Sequence, residues 1–486
     1  MGEDAMHEDE AAPEVVAGRL GALKLAELPE KALGFWRLAG PGAVLVGLSI
    51  GAGEIIVWPR IAAAYGGTMI WAAVLGVFAQ LWVNIEVGRY TLATGESAYT
   101  GFCRIWRGFA YVFIALNVAA WLLPGWARAS GGALKALIVG PNGWGEPWQW
   151  TAITFAGVAL LLFGPKIIYN GVEKTVLVLI SVVIVGLVIV AVVAGNAQTW
   201  RELAAGLVNV GYRAPDLPTK DFFSALVFAG AGGTANLFFC YYLRDKNIGM
   251  GARVPEVMSV VRGRAEKEPA TGFTFADTDS NQGQWTAWFA HMKKDQVLFF
   301  WLTNTATMLL FIFGALAVLH PRGIVPAKDM LIWDEAIILG QVWGRPGEVI
   351  FLIVGVATLF STQLAIVDGC ARSVSDILYV NFAAAQRKTL SYWYAWIAAG
   401  WIIGGCVLTY FLQRLQCITF LFNAGFMGGI AMALYVPLTL YMNSKFLPRT
   451  ARPSAACVLF LAAAALLYVA FAVFSLWDLA VHWGGA

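Results

Sequence analysis

Long apolar stretches recur along almost the whole chain, separated by short polar connections. About twenty consecutive apolar residues suffice for a helix to cross a bilayer. The pattern predicts about eleven such spans, at 41–64, 67–92, 108–138, 150–168, 174–195, 222–243, 295–318, 347–379, 389–412, 416–441 and 454–478. Ahead of them, residues 1–36 are polar and acid-rich (Glu3, Asp4, Glu8, Asp9, Glu10, Glu14) and carry no apolar signal-peptide core. They read as a disordered cytoplasmic tail with a short amphipathic helix near 16–28. The longest connection, 244–294, reads as a cytoplasmic loop with a short amphipathic segment at 254–261.

Two spans break the apolar pattern at their centres. The first carries Ser49-Ile50-Gly51-Ala52-Gly53-Glu54 and the sixth carries Gly230-Ala231-Gly232-Gly233-Thr234-Ala235-Asn236. An interior glycine weakens a helix by about 1 kcal/mol relative to alanine. A carboxylate at the bilayer centre costs about 2.5–3.5 kcal/mol unless it is paired or hydrated. The combination predicts a helix break at each place, with freed carbonyls facing a protein-walled cavity. Breaks at matching positions in two halves are the mark of an inverted-repeat transporter, with its site where they meet. Glycines that only let helices pack closely are the competing reading.

Composition narrows the class. The 486 residues are 59% hydrophobic and 13% charged, against about 25% charged in soluble domains. Mean hydropathy is +0.68. The chain is therefore an all-α polytopic membrane protein, and its net charge of +3 gives no reason to expect nucleic acid. Cysteines 103, 240, 370, 406, 417 and 457 form no CxxC pair and read as small buried residues. Histidines 7, 291, 320 and 482 lie outside the span centres, so no intramembrane histidine ligand is expected. Asp277 to Gly283 follows part of a calcium-loop spacing. Its glycine comes one place late and Trp288 stands where the bidentate acid belongs, so it reads as a solvated turn. Connections after even-numbered spans are about twice as rich in Lys and Arg as the others, which places the N-terminus in the cytoplasm. With eleven spans the C-terminus then lies outside the cell membrane.

Residues 35–442 resemble the Nramp family of divalent-metal transporters, which have a LeuT-like fold. The likeness rests on Gly40-Pro41-Gly42 before the first span, Thr94-Gly95-Glu96-Ser97 after the second and Asn304 in the seventh. Glu335-Ala336 to Gly344, Phe360-Ser361-Thr362 in the eighth and Pro437 in the tenth add to it. The resemblance implies a 5+5 inverted repeat over about 41–195 and 222–441 with broken helices 1 and 6. The core would occupy 37–442, with an additional eleventh span in 443–486. The family's metal motifs are replaced. Where it has Asp-Pro-Gly-Asn, this chain has Gly51-Ala52-Gly53-Glu54; where it has Met-Pro-His before Asn, this chain has Gly233-Thr234-Ala235-Asn236. The third-span carboxylates have no counterpart either, since 108–138 holds Asn117, Pro124 and Arg128 but no acid.

The candidate site therefore comprises Gly51, Ala52, Glu54, Gly233, Thr234 and Asn236, with Glu54 and Asn236 as metal ligands. Asn304, Thr362 and Asn423 are further neutral oxygens. Hard oxygen donors suit Mg²⁺, Ca²⁺, Mn²⁺ or Na⁺ better than soft metals. A buried Glu54 also suits a proton, and a salt bridge to Arg60 is its structural alternative. Asp368, Arg372 and Asp376, at i, i+4 and i+8 in the eighth span, share a helix face and read as an ion-pair run or gate. Three functions compete: a cation transporter, a transporter of a small organic solute such as an amino acid, and a membrane sensor or scaffold. No resident cofactor is expected, nor a nucleophile–base pair for enzymatic work. Partners are an inorganic cation or small solute and membrane lipid.

Overall fold

The computed structural model describes residues 20–31, 34, 50–164, 181–182, 184–254, 271–327 and 331–483. Most of the expected tail, the Gly40-Pro41-Gly42 opening, the turn between the fourth and fifth spans and most of the 254–261 segment lie outside these residues. A π-helical turn, Ile50–Val57, leads into α1 (Trp58–Tyr65). Then come α2 (Ile70–Thr94), α3 (Ala98–Ile105), α4 (Phe109–Trp121), α5 (Gly125–Val139) and α6 (Pro147–Phe163). α7 (Ile184–Val193) bends by 117° into α8 (Ala197–Val208). α9 (Thr219–Val227) and α10 (Phe239–Asp245) are separated by an irregular stretch and a 3₁₀ turn, Gly233–Phe238. α11 (Asp279–Asp295), α12 (Asn304–Gly314), α13 (Leu331–Trp343), α14 (Arg345–Asn381), α15 (Leu390–Phe411), α16 (Cys417–Phe446) and α17 (Ala455–Trp483) complete the chain.

Among the described residues, seven helical stretches are long and apolar enough to cross a membrane, or eight if α7 and α8 form one bent span. The protein is an integral membrane protein. The sequence pattern predicts more spans for identifiable reasons. The stretch Gly53–Thr94 runs the expected first and second spans together through a 3₁₀ turn at Gly66–Met69. The sixth span is cut into pieces too short to count, and 165–180 lies outside the described residues.

Local signals set the helix ends. Thr94-Gly95-Glu96-Ser97 is a corner: Gly95 closes α2 in the left-handed conformation (φ 71°), and Ser97 opens α3 by accepting from the Thr100 amide. Glu96 locks it by accepting from Tyr90 Oη at 2.7 Å and from Arg104 Nε at 2.7 Å. The expected third span is divided at Leu122–Pro124 into α4 and α5, because proline cannot donate to the preceding turn.

Three features of the described residues differ from these expectations or add to them. Residues 20–28 are extended rather than helical: Lys24–Leu25 (β1) pairs in parallel with Phe273–Thr274 (β2). Arg104 Nη1 on Gly21 O (2.8 Å) and Trp288 Nε1 on Pro29 O (2.7 Å) hold the segment further, and these distant partners outweigh local helix preference. The 244–294 connection includes a 17-residue helix, α11, capped by Thr278. Finally, Gly51 to Glu54 is wound into a π turn, not unwound.

Candidate functional site

The sixth span is interrupted as its glycines predict. α9 ends at Val227, and Gly232 and Gly233 both have positive φ (74° and 52°). The freed backbone groups must find partners inside the protein, and side chains from three other helices supply them. Gln80 of α2 donates Nε2 to Val227 O (2.8 Å) and accepts at Oε1 from Gly232 N (3.0 Å). Asn304 of α12 donates to Ala229 O (2.9 Å), and Tyr435 of α16 donates to Gly233 O (2.8 Å).

The π turn of the first span lies against this break. A Cβ on Gly53 would sit 1.8 Å from Phe228 O, and one on Gly51 would sit 1.9 Å from Thr362 Oγ1 in α14. The two glycines therefore form a slot between the sixth and eighth spans. Ala52 lies between them in the turn. A π turn inside a helix misaligns the i to i−4 ladder and is common at functional sites.

Glu54 is fully buried. Its Oε2 accepts from Thr307 Oγ1 at 2.5 Å, and its Oε1 has no partner among the described residues. Arg60 does not pair with it; Arg60 Nε donates to Pro326 O at 2.9 Å. Asn304 lies one turn before Thr307 on α12, and its buried Oδ1 is also unpartnered. So is Oδ1 of buried Asn236, whose amide donates to Gln80 Oε1 at 3.1 Å. Three buried oxygen acceptors with spare capacity thus belong to the first, sixth and seventh spans. Such groups are costly unless a cation or a proton meets them.

Other expected residues serve differently. Thr234 donates to Asn117 Oδ1 (2.6 Å) and accepts from Trp121 Nε1 (2.7 Å), tying the sixth span to the third. Thr362 donates to Thr358 O at 3.0 Å beside Gly51. Asn423 accepts from Lys220, one residue after the start of α9, so the structure gives it a partner apart from Glu54. Asp368, Arg372 and Asp376 do not pair along one helix throughout. Arg372 bridges Asp368 (2.9 Å) and Asp245 of α10 (2.8 Å), while Asp376 faces Arg244 (3.8 Å) and accepts from Ser97. Among the described residues, no group of three or more His, Cys, Asp or Glu is placed to hold a metal.

A narrow crevice beside Gly53 is lined by Trp121, Trp126, Phe228, Gly230, Thr362 and Ile366, among others, and its free cavity volume is about 10 Å³. That is room for about one water, well short of a small-molecule pocket. Gln80, Thr307 and Tyr435 were not singled out by the sequence reading. The signal for Gln80 was present: a polar side chain in the middle of an apolar span is as anomalous as Glu54.

No protein-family model and no curated protein matches the sequence. Solved structures do match in fold. A point mutant of the Eremococcus coleocola manganese transporter superposes with a TM-score of 0.58 at 16% identity, covering 93% of this chain and 89% of that one. Mhp1, a nucleobase-cation-symport-1 family transporter with bromovinylhydantoin bound, gives 0.52 at 15%, with 96% and 95% covered. MhsT in complex with L-phenylalanine gives 0.50 at 14%, with 90% and 98% covered. The chain therefore has the LeuT-type fold of these transporters.

Proposed function

We propose that this protein is a secondary transporter that moves a metal or other inorganic cation by alternating access. The observation that carries this reading is the unpartnered, fully buried Oε1 of Glu54 at the seam of the first and sixth spans. Asn304 Oδ1 and Asn236 Oδ1 offer neutral oxygens from the neighbouring spans, and Thr307 fixes the carboxylate. A donor set of one carboxylate and two amide oxygens favours hard cations such as Mn²⁺, Mg²⁺, Ca²⁺ or Na⁺. The shared fold with a manganese transporter agrees with this. The finer architecture belongs to the same proposal: about eleven spans in a 5+5 repeat, the N-terminus cytoplasmic, and the pairs Arg244–Asp376 and Arg372–Asp245 as the inner gate.

A second reading rests on the aromatic lining of the crevice, Trp121, Trp126 and Phe228, which would face a small organic solute in a state where the crevice is wider than in this structure. Two fold neighbours hold such molecules. The polar centre argues against a closed scaffold. Uptake of Mn²⁺, Mg²⁺, Ca²⁺ and Na⁺ into proteoliposomes, wild type against Glu54→Gln, separates the readings. Uptake of one cation that Glu54→Gln abolishes in a well-folded protein is the expected result. Normal uptake by Glu54→Gln removes Glu54 from the site. Silence across the panel favours the organic solute, tested next with Na⁺- or H⁺-driven amino-acid uptake.

A further inference from the structure

A second acid is buried as completely as Glu54 and sits on a different element. Glu335 of α13 has no exposed surface, and neither of its carboxyl oxygens has a hydrogen-bond partner among the described residues. α13 packs against α14, α5, the π turn Ala315–Leu319 and the edge of Ile50–Val57. The charges these elements bring are few. Ala315–Leu319 has none. α5 carries Lys135 and Arg128, and Arg128 donates to Leu415 O at 2.6 Å. In the first half of α14, Arg345 and Glu348 pair with each other at 2.7 Å. Further along α14, Arg372 is engaged with Asp368 and Asp245, and Asp376 with Arg244. Ile50–Val57 brings Glu54, held by Thr307. The charges acting on Glu335 are Asp334, of like sign, and Arg60, of opposite sign. Arg60 in turn also senses Asp221 of α9.

An isolated carboxylate in such a wall is strongly disfavoured, whereas the neutral acid is tolerated. Among the described residues no group of three or more His, Cys, Asp or Glu gathers here to hold a metal, so the proton is the fitting occupant. Burial pushes the Glu335 carboxyl well above its usual range, Asp334 adds to the rise, and Arg60 opposes it. Arg60 lies six residues after Glu54, on the helix that continues the π turn.

We propose that Glu335 is a proton site separate from the cation site, and that its ionisation acts on α1 through Arg60. This rests on the transporter reading above for its role, but not for its existence. When Glu335 is neutral, Arg60 stays on the Pro326 carbonyl. When it loses its proton, the attraction between Glu335 and Arg60 pulls on the helix that carries Glu54. Proton release and rearrangement of the cation site are thereby linked.

Two measurements test it. The first is infrared titration of the purified full chain, following the C=O stretch of protonated carboxyls. A band present in wild type at neutral pH is expected to be missing from Glu335→Gln, and Arg60→Gln is expected to move its titration to higher pH. No lost band, or no shift with Arg60→Gln, overturns the proposal. Should Glu335→Gln fail to fold, Glu335→Asp with a shifted band decides the assignment. The second uses proteoliposomes with a trapped pH dye and Mn²⁺. Wild type is expected to show Mn²⁺ uptake accelerated by an inward proton gradient and accompanied by proton entry. Glu335→Gln is expected to lose both proton effects while Mn²⁺ still exchanges down its own gradient. Proton effects intact in Glu335→Gln overturn the proposal. If wild type moves no Mn²⁺, the cation reading fails for that ion, and the infrared titration alone decides whether Glu335 holds a proton.

Discussion

Asn236 donates its side-chain amide to Gln80 Oε1 at 3.1 Å, leaving its own buried carbonyl oxygen without a partner among the described residues. One glutamine thus does two things at once. It repairs the broken sixth span at Val227 and Gly232, and it turns Asn236 so that an acceptor remains free.

Replacing Gln80 should therefore damage both fold and site. Gln80→Ala leaves Val227 O and Gly232 N unpaired in a dry interior, at about 1–3 kcal/mol for each group. Lower thermal stability of the detergent-purified protein is expected. Gln80→Glu keeps the acceptor for Gly232 but loses the donor to Val227, so it should fall between wild type and Gln80→Ala. A Gln80→Ala protein as stable as wild type would show that the break is held by other contacts.

The glycine slot predicts an order of severity. Gly53→Ala places a methyl 1.8 Å from a backbone oxygen that cannot move aside, whereas Gly51→Ala meets a side chain, Thr362. Gly53→Ala is expected to abolish transport or folding. Gly51→Ala should be rescued in part by Thr362→Gly, which removes the clashing atoms. Uptake assays on the single and double variants check this, and a failed rescue would mean that Gly51 is needed for flexibility rather than space.

The paired charges around α10 predict a third effect. Asp376→Asn weakens the hold on Arg244, and Arg372→Ala frees Asp245. Each should shift the population toward a state open at that end. Cys240 lies in α10 and is fully buried, so it is a built-in reporter. In a variant retaining Cys240 as its sole cysteine, alkylation by a polar thiol reagent is expected to speed up with either substitution. An unchanged rate would make the pairs purely structural.

Much of this was legible in the chain. Apolar runs identify membrane helices because nothing else in a sequence sustains twenty such residues. Gly230 to Gly233 announced the sixth-span break, since its left-handed backbone at Gly232 and Gly233 strains any other residue. The same signal at Gly51 and Gly53 was misread as unwinding. There the glycines serve close approach to Phe228 and Thr362, and a sequence does not distinguish a missing Cβ needed for conformation from one needed for space. Glu335 stands in the sequence only as part of the family likeness at Glu335-Ala336 to Gly344. Its burial comes from packing against α5 and α14, which no local pattern records. The extended run at 20–28 was hidden for a similar reason: Leu28 N pairs with Asn281 Oδ1 at 2.9 Å, a partner 253 residues away.

That last contact belongs to a larger arrangement. β1 precedes the first span and β2 precedes α11, which leads into the seventh, and the two strands are hydrogen-bonded side by side. The approach to the first span and the approach to the seventh are thus a single mechanical part. A movement that carries one must carry the other or peel the strands apart, so the first and seventh spans are tethered to each other at this end.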